Sequence, residues 1–198
     1  MTRSMPRPAL RLLALLLVLP LLGGCVAAVV AGGAATGAAV HDRRSVGTVL
    51  DDQALQIAII DRIYSERDRF DGTRIKAVVH NGVALLIGEV FDEALKARAG
   101  ERANELQGVK RVVNELIIGE PPGVWRRSAD ATLTSRVKTA LIGIDMPGFD
   151  ASRINVTTVR GEVYLMGLVS RAESEAAVDT VRSMRGVVRV VKVFEYVD

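Results

Sequence analysis

The chain has a single cysteine, Cys25, among 198 residues, so it cannot form an internal disulfide. It has two histidines, His41 and His80, and neither has Cys or His neighbours at metal-ligand spacing. No metal and no cofactor is therefore expected, and both histidines read as surface residues. Aromatics are scarce at 4%, in a composition that otherwise reads as globular. The glycines form no phosphate loop ahead of a helix, and no Walker or dinucleotide fingerprint is present. No Ser-His-Asp set can be assembled, and Asp51-Asp52 reads as helix capping, so no enzyme is expected.

An excess of positive charge is also missing once the N-terminus is set aside. Arg3, Arg7 and Arg11 sit in a segment with the layout of a signal peptide. Without them the 26 basic residues fall to 23, equal to the 23 acidic ones. Nucleic-acid binding rests on a phosphate-neutralising excess of Lys and Arg, so no nucleic-acid partner is expected.

A basic start, an apolar run over Leu12–Leu22 and small residues before a cut make up a secretory signal peptide. Leu22-Gly23-Gly24-Cys25 resembles a bacterial lipobox. That resemblance implies cleavage after residue 24, a diacylglyceryl thioether on Cys25 and acylation of the new amine. Several acyl chains hold a protein on a bilayer where one is marginal. Val26, rather than Asp, after the cysteine implies delivery to the outer membrane. The other reading of this stretch is an uncleaved anchor, because Leu12 to Val40 carries no charge and is long enough to span a bilayer.

The remainder is a duplication. Asn81-Gly82 and Arg160-Gly161 open apolar runs that end in Gly88 and Gly167, each pair 79 residues apart (88 to 167). Asp52, Leu55, Ile59 and Ile63 match Asp130, Leu133, Val137 and Leu141 at an offset of 78 (52 to 130). Gly108-Val109-Lys110-Arg111-Val112 matches Gly186-Val187-Val188-Arg189-Val190 at the same offset. Each copy predicts a helix starting at a capping Asp52 or Asp130. Two strands joined at the Asn-Gly or Arg-Gly turn follow. A second helix carries Ala99, Ala103 and Leu106, or Ala177, Val181 and Met184, and a last strand follows the Gly-Val signature. The order is α-β-β-α-β, an α+β fold in which two helices pack on a three-stranded mixed sheet. A unit of this size is near the lower limit for independent stability, so the two copies should pack on each other. The expected division is a signal peptide at 1–24, an acylated Cys and Ala/Gly-rich tether at 25–48, repeats at 49–119 and 128–198, and a linker at 120–127. Pro121-Pro122-Gly123 should keep that linker stiff and non-helical.

The repeat order, the apolar runs closing on Gly88 and Gly167, and Gly-Val-x-x-Val resemble the BON domain. With the lipobox, the chain resembles dual BON-domain outer-membrane lipoproteins of the DolP type. Arg44-Ser45-Val46-Gly47-Thr48, Ile154-Asn155-Val156-Thr157-Thr158 and Gly161-Glu162-Val163-Tyr164-Leu165-Met166-Gly167 carry the likeness. The resemblance implies a non-enzymatic periplasmic protein that supports envelope integrity, is associated with cell division, and binds anionic phospholipid such as phosphatidylglycerol. Binding would run through the first helix of the second repeat. In the family the exposed start of that helix carries a large aromatic; the matching position here is Thr132, and Trp125 lies upstream.

The residues add a hint. After the first helix, repeat one has Ser65-Glu66-Arg67-Asp68-Arg69-Phe70, whereas repeat two has Gly143-Ile144-Asp145-Met146-Pro147-Gly148-Phe149. Ile144 and Met146 replace charges, and Arg126, Arg127, Arg136 and Lys138 lie nearby. Apolar loop residues beside cations suit an anionic bilayer. The competing readings are that Ile144 and Met146 pack against the first repeat, and that the protein is an adaptor docking an envelope assembly or division factor.

Overall fold

A computed structural model describes residues 42–197. The expected signal peptide, Cys25 and most of the tether lie outside these residues. The first repeat comprises α1 (Val46–Tyr64), a single turn α2 (Arg67–Phe70), β1 (Arg74–His80), β2 (Val83–Val90), α3 (Glu93–Asn104) and β3 (Arg111–Ile118). The second comprises α4 (Val124–Ile142), a 3-10 turn at Ala151–Arg153, β4 (Ile154–Val159), β5 (Glu162–Val169), α5 (Arg171–Arg182) and β6 (Arg189–Tyr196). In each three-stranded sheet the central strand pairs antiparallel with its hairpin partner and parallel with the last strand. The crossover that a parallel pair needs is the second helix of the repeat.

The central strands explain the assembly. All eight residues of β2 are buried, and β5 is nearly as enclosed. A strand covered on both faces reads as a continuous apolar run rather than an alternation. On one face, Ala84 and Leu86 join Ile59, Ile63, Phe70, Ala99 and Ala103 of the helices. Val163 and Leu165 meet Leu133, Val137, Leu141, Ala177 and Val181 in the same way. On the other face Val78, Val83, Leu85 and Ile87 pack with Val159, Tyr164, Met166 and Val193 of the second sheet. The repeats therefore stack sheet against sheet with their helices outside, in four layers. Polar contacts ring this seam: Arg189 bridges Glu115 and Glu162, Asn81 donates to Glu195, and Arg160 donates to the fully buried Glu89.

Gly88 and Gly167 close the apolar runs because the hairpin partner crosses too near. A Cβ there would stand 1.9 Å from the Arg74 carbonyl oxygen, or 2.2 Å from that of Arg153.

Four expectations are corrected. Both first helices start earlier than the aspartates: α1 begins behind the Ser45 cap, and α4 begins behind Gly123. The linker reading ended at Arg127, yet Trp125, Arg126 and Arg127 are helical, because only Pro121 and Pro122 resist the helix and Gly123 ends that resistance. Asp52 and Asp130 cap hairpins rather than helices. Asp52 accepts from the backbone N–H groups of Asn81 (2.6 Å) and Gly82 (2.8 Å). Asp130 does the same for Arg160 and Gly161, both at 2.9 Å. Both central residues of each turn have positive φ, 51° and 78° in one and 52° and 79° in the other, as a type I′ turn requires. The carboxylate holds the unusual Arg160 in that conformation. Finally, His80 is 4% exposed rather than on the surface. It ends β1 close to Asp42, Arg44 and Asp52, and burial, with a smaller push from the Arg44 charge, lowers its pKa to about 4.

The segment ahead of α1 is tied down as well. Arg44 pairs with Asp42 and Asp52. Arg43 reaches the second repeat, donating to Glu173 at 2.9 Å and to the Leu168 carbonyl. Glu173 also receives Arg153 and closes the capping box of α5 with Ser170.

Candidate functional site

Helix α4 buries Leu133, Val137 and Leu141 and turns its remaining surface outward. Trp125 is 90% exposed. It stands seven residues before Thr132, two helical turns, so both lie along one line of the surface. Around that line the residues are small: Ser128, Ala129, Thr132, Ser135 and Thr139 are all exposed. The hydroxyls of Thr132, Ser135 and Thr139 donate back to carbonyls four residues earlier. Their hydrogen-bonding capacity is turned inward, leaving a low, nearly neutral ridge with a tryptophan at its head.

The cations divide to either side of this ridge. Arg126 and Arg136, with Thr132, line a groove of about 450 Å³ against Arg160, Gly161 and Val188. Arg136 also donates to the Arg185 carbonyl. Arg127 and Lys138 line a separate cleft of about 390 Å³ on the opposite side. Arg74 and Lys76 of β1 face into the same cleft from the first repeat. Burial, then the neighbouring charges of Arg74 and Lys138, hold Lys76 below the ordinary lysine value.

The duplication supplies an internal control. The groove holding Arg126, Ala129, Thr132 and Arg136 recurs in the first repeat with Thr48, Asp51, Ala54 and Ala58 in the matching places. Along the whole helix, α1 carries Asp51, Asp52 and Asp61 against Arg62. Helix α4 carries Arg126, Arg127, Arg136 and Lys138 against Asp130 alone, and Asp130 is committed to the hairpin. The same helix has inverted its sign. It has also lost its cap: Gly123 provides no side-chain bond, and the first turn holds no acid but two arginines. Cations at the positive end of a helix cost about 0.3–1 kcal/mol each. Folding alone gives no reason to put them there.

The loop residues behave differently from the expectation. Ile144 is half-buried and packs on the core of its own repeat, as does Phe149. Met146 is half-buried. Ile142, at the end of α4, is the freely exposed residue at 76%. Its signal was an isoleucine off the Leu133-Val137-Leu141 stripe. Among the described residues no cluster of three His, Cys, Asp or Glu could hold a metal ion. Among them, too, no helix is long and apolar enough to cross a membrane.

Residues 51–120 and 129–198 each match the BON domain. The chain belongs to the BON-domain family. Its two BON domains are the two repeats of the fold. It is 35% identical over 177 residues to the outer membrane lipoprotein DolP of Haemophilus influenzae, covering 89% of this chain and 91% of that protein. It is 34% identical over 156 residues to a 21 kDa hemolysin of Actinobacillus pleuropneumoniae, covering 79% of each. Among solved structures, CdsD of the Chlamydia trachomatis type III secretion system aligns over 71% of this chain and 93% of that chain. Its TM-score is 0.30 at 14% identity, too low to bear on fold or function. The chain is thus a dual BON-domain, DolP-like protein of the outer membrane.

Proposed function

We propose that the chain is a lipoprotein, acylated at Cys25 and facing the periplasm, that binds anionic phospholipid through α4 of its second BON domain and thereby supports envelope integrity. The observation that carries this reading is the inversion of charge between the duplicated helices. Helix α4 gained four cations and an exposed tryptophan at a cost to its own capping, where α1 kept acids. A nearly neutral ridge headed by Trp125, flanked by cations on both sides and with Ile142 at its far end, suits the bilayer interface. The indole sits at headgroup level there, and each near-surface cation contributes about 1 kcal/mol. Trp125 takes the part of the family's aromatic two turns ahead of Thr132. The acyl chains would keep the effective concentration of headgroups high, so weak intrinsic affinity suffices. No chemistry is required of any residue.

Trp125 is the sole tryptophan, so its fluorescence reports on the site directly. Vesicles containing phosphatidylglycerol should shift its emission to the blue, and salt or pure phosphatidylcholine should abolish the effect. The paired change Arg126→Glu and Arg136→Glu should abolish it too. No shift with any anionic vesicle refutes the α4 reading. Mass spectrometry of the native protein tests the anchor: an unmodified Cys25 with residues 1–24 still attached refutes it.

A second reading, a docking adaptor for an envelope protein, is favoured by α1. Val46, Leu50 and Ile57 are exposed apolar residues along one side of that helix.

A further inference from the structure

The seam between the two BON domains is apolar at its centre but not at one edge. On β1, Arg74, Lys76 and Val78 alternate along the face turned toward the second sheet. Val78 is buried in the shared layer, while Arg74 and Lys76 continue past it into the open. On β4, Val159 joins the same layer, and Asn155 and Thr157 share its face. Helix α4 closes the side with Arg127 and Lys138. The result is one cleft with four cations, two from each domain. Among the described residues none of the four makes an ion pair with a carboxylate, although paired arginines are common elsewhere in the chain. The acid in the cleft wall, Asp130, already accepts from Arg160 and Gly161. Neutral donors also line the walls: the Asn155 amide and the Thr157 hydroxyl. Gathering four unpaired cations costs stability through mutual repulsion, and an anion held among them relieves that cost.

We propose that this cleft is a binding site for a phosphoryl ligand carrying at least two negative charges in all, on one phosphate or on two linked phosphates, shared between the two BON domains. The four cations match a doubly charged ligand better than a monoanionic one, and the cleft has room for one such group with Asn155 and Thr157 as additional donors. The source is either a doubly phosphorylated lipid headgroup or a soluble phosphoryl anion. The lipid source rests on the α4 reading above; the site itself does not. Trp125 lies on the ridge and not among the cleft residues, so the two sites have separate readouts.

The test uses the purified acylated chain in neutral detergent micelles and the double variant Arg74→Gln/Lys76→Gln. Inorganic pyrophosphate is one probe. Micelles doped with cardiolipin, or with phosphatidylglycerol at equal total charge, are the others. In the native chain pyrophosphate, cardiolipin or both should raise the melting temperature more than charge-matched phosphatidylglycerol does. In the variant that affinity should fall about tenfold or more, because two of four cations are gone. The ligand-free variant should melt no lower than the native chain, since repulsion is relieved. A response to pyrophosphate alone assigns the cleft to a soluble anion, and a response to cardiolipin alone assigns it to a headgroup; both support the site. Equal affinity in variant and native chain, or no preference of the native chain for either multiply charged probe, overturns it. The Trp125 emission response to phosphatidylglycerol, read in the same samples, decides the α4 reading independently.

Discussion

Replacing Asp52 by Ala distinguishes a hairpin clamp from a helix cap by magnitude. As an N-cap its loss would cost about 1 kcal/mol. As a clamp it removes a charged acceptor from two backbone N–H groups and from Arg44. Bonds to a charged group contribute about 1.5–3 kcal/mol each, and the Gly82 N–H is buried, with no water to replace the carboxylate. Arg44 retains Asp42, so its share is small. The expected loss is therefore about 3–5 kcal/mol for Asp52→Ala. Asp130→Ala, with the same two backbone bonds and no arginine, should lose about 2–4 kcal/mol. Urea denaturation at constant slope gives the stability change. Amide hydrogen exchange at Asn81, Gly82, Arg160 and Gly161 locates it. A loss of about 1 kcal/mol or less, with exchange at the four turn amides unchanged, would refute the clamp and restore the cap.

Three further outcomes are expected. Leu85→Ala, in the layer between the sheets, should cost about 2–5 kcal/mol and lower the unfolding of both domains together; two separate transitions in calorimetry would contradict a shared layer. Arg160→Ala should cost about 3–5 kcal/mol by leaving the fully buried Glu89 without its cation. Adding Glu89→Gln should recover part of that loss in a double-mutant cycle, and strict additivity would show that the pair is not coupled. His80 titrates near pH 4 in the fold, against an ordinary 6.5, so the unfolded chain binds its proton first. Stability from this residue is complete above pH 6.5 and disappears as pH falls toward 4, a change of about 3 kcal/mol. His80→Phe should flatten that part of the pH–stability curve. An unaltered slope between those pH values would place the effect elsewhere. Glu66, held near 2 by Arg98 and Arg102, should add its full stabilisation above about pH 4.5 and lose it as pH falls toward 2 in the same titration.

Much of this fold is legible because the chain states it twice. The apolar stripes Leu55-Ile59-Ile63 and Leu133-Val137-Leu141 end up inside, and the strand limits Val83–Val90 and Glu162–Val169 match the residue patterns. The misreadings share a cause: short-range rules were applied to residues whose partners are distant. Asp52 precedes a helical stripe, so capping rules claim it, yet its partners lie 29 and 30 residues later. His80 precedes a turn, so it reads as exposed, yet it is buried beside Asp42 and Arg44 of the segment ahead of α1 and Asp52 of α1. Position also hid the grouping of the cations. Arg127 and Lys138 read as one cluster with Arg126 and Arg136, but the helix sends them to opposite sides, and Arg74 and Lys76 join them only because the sheets stack. Prolines stop a helix, so Trp125 reads as linker, while Gly123 permits the next helix to start at once.

Arg43 has a consequence for anyone shortening the chain. It precedes the first domain in sequence, yet its guanidinium is bonded to Glu173 and Leu168 of the second. Trimming to the start of α1 would strip a charge from the capping box of α5, 130 residues further along the polypeptide. The damage would surface in the domain left untouched by the cut.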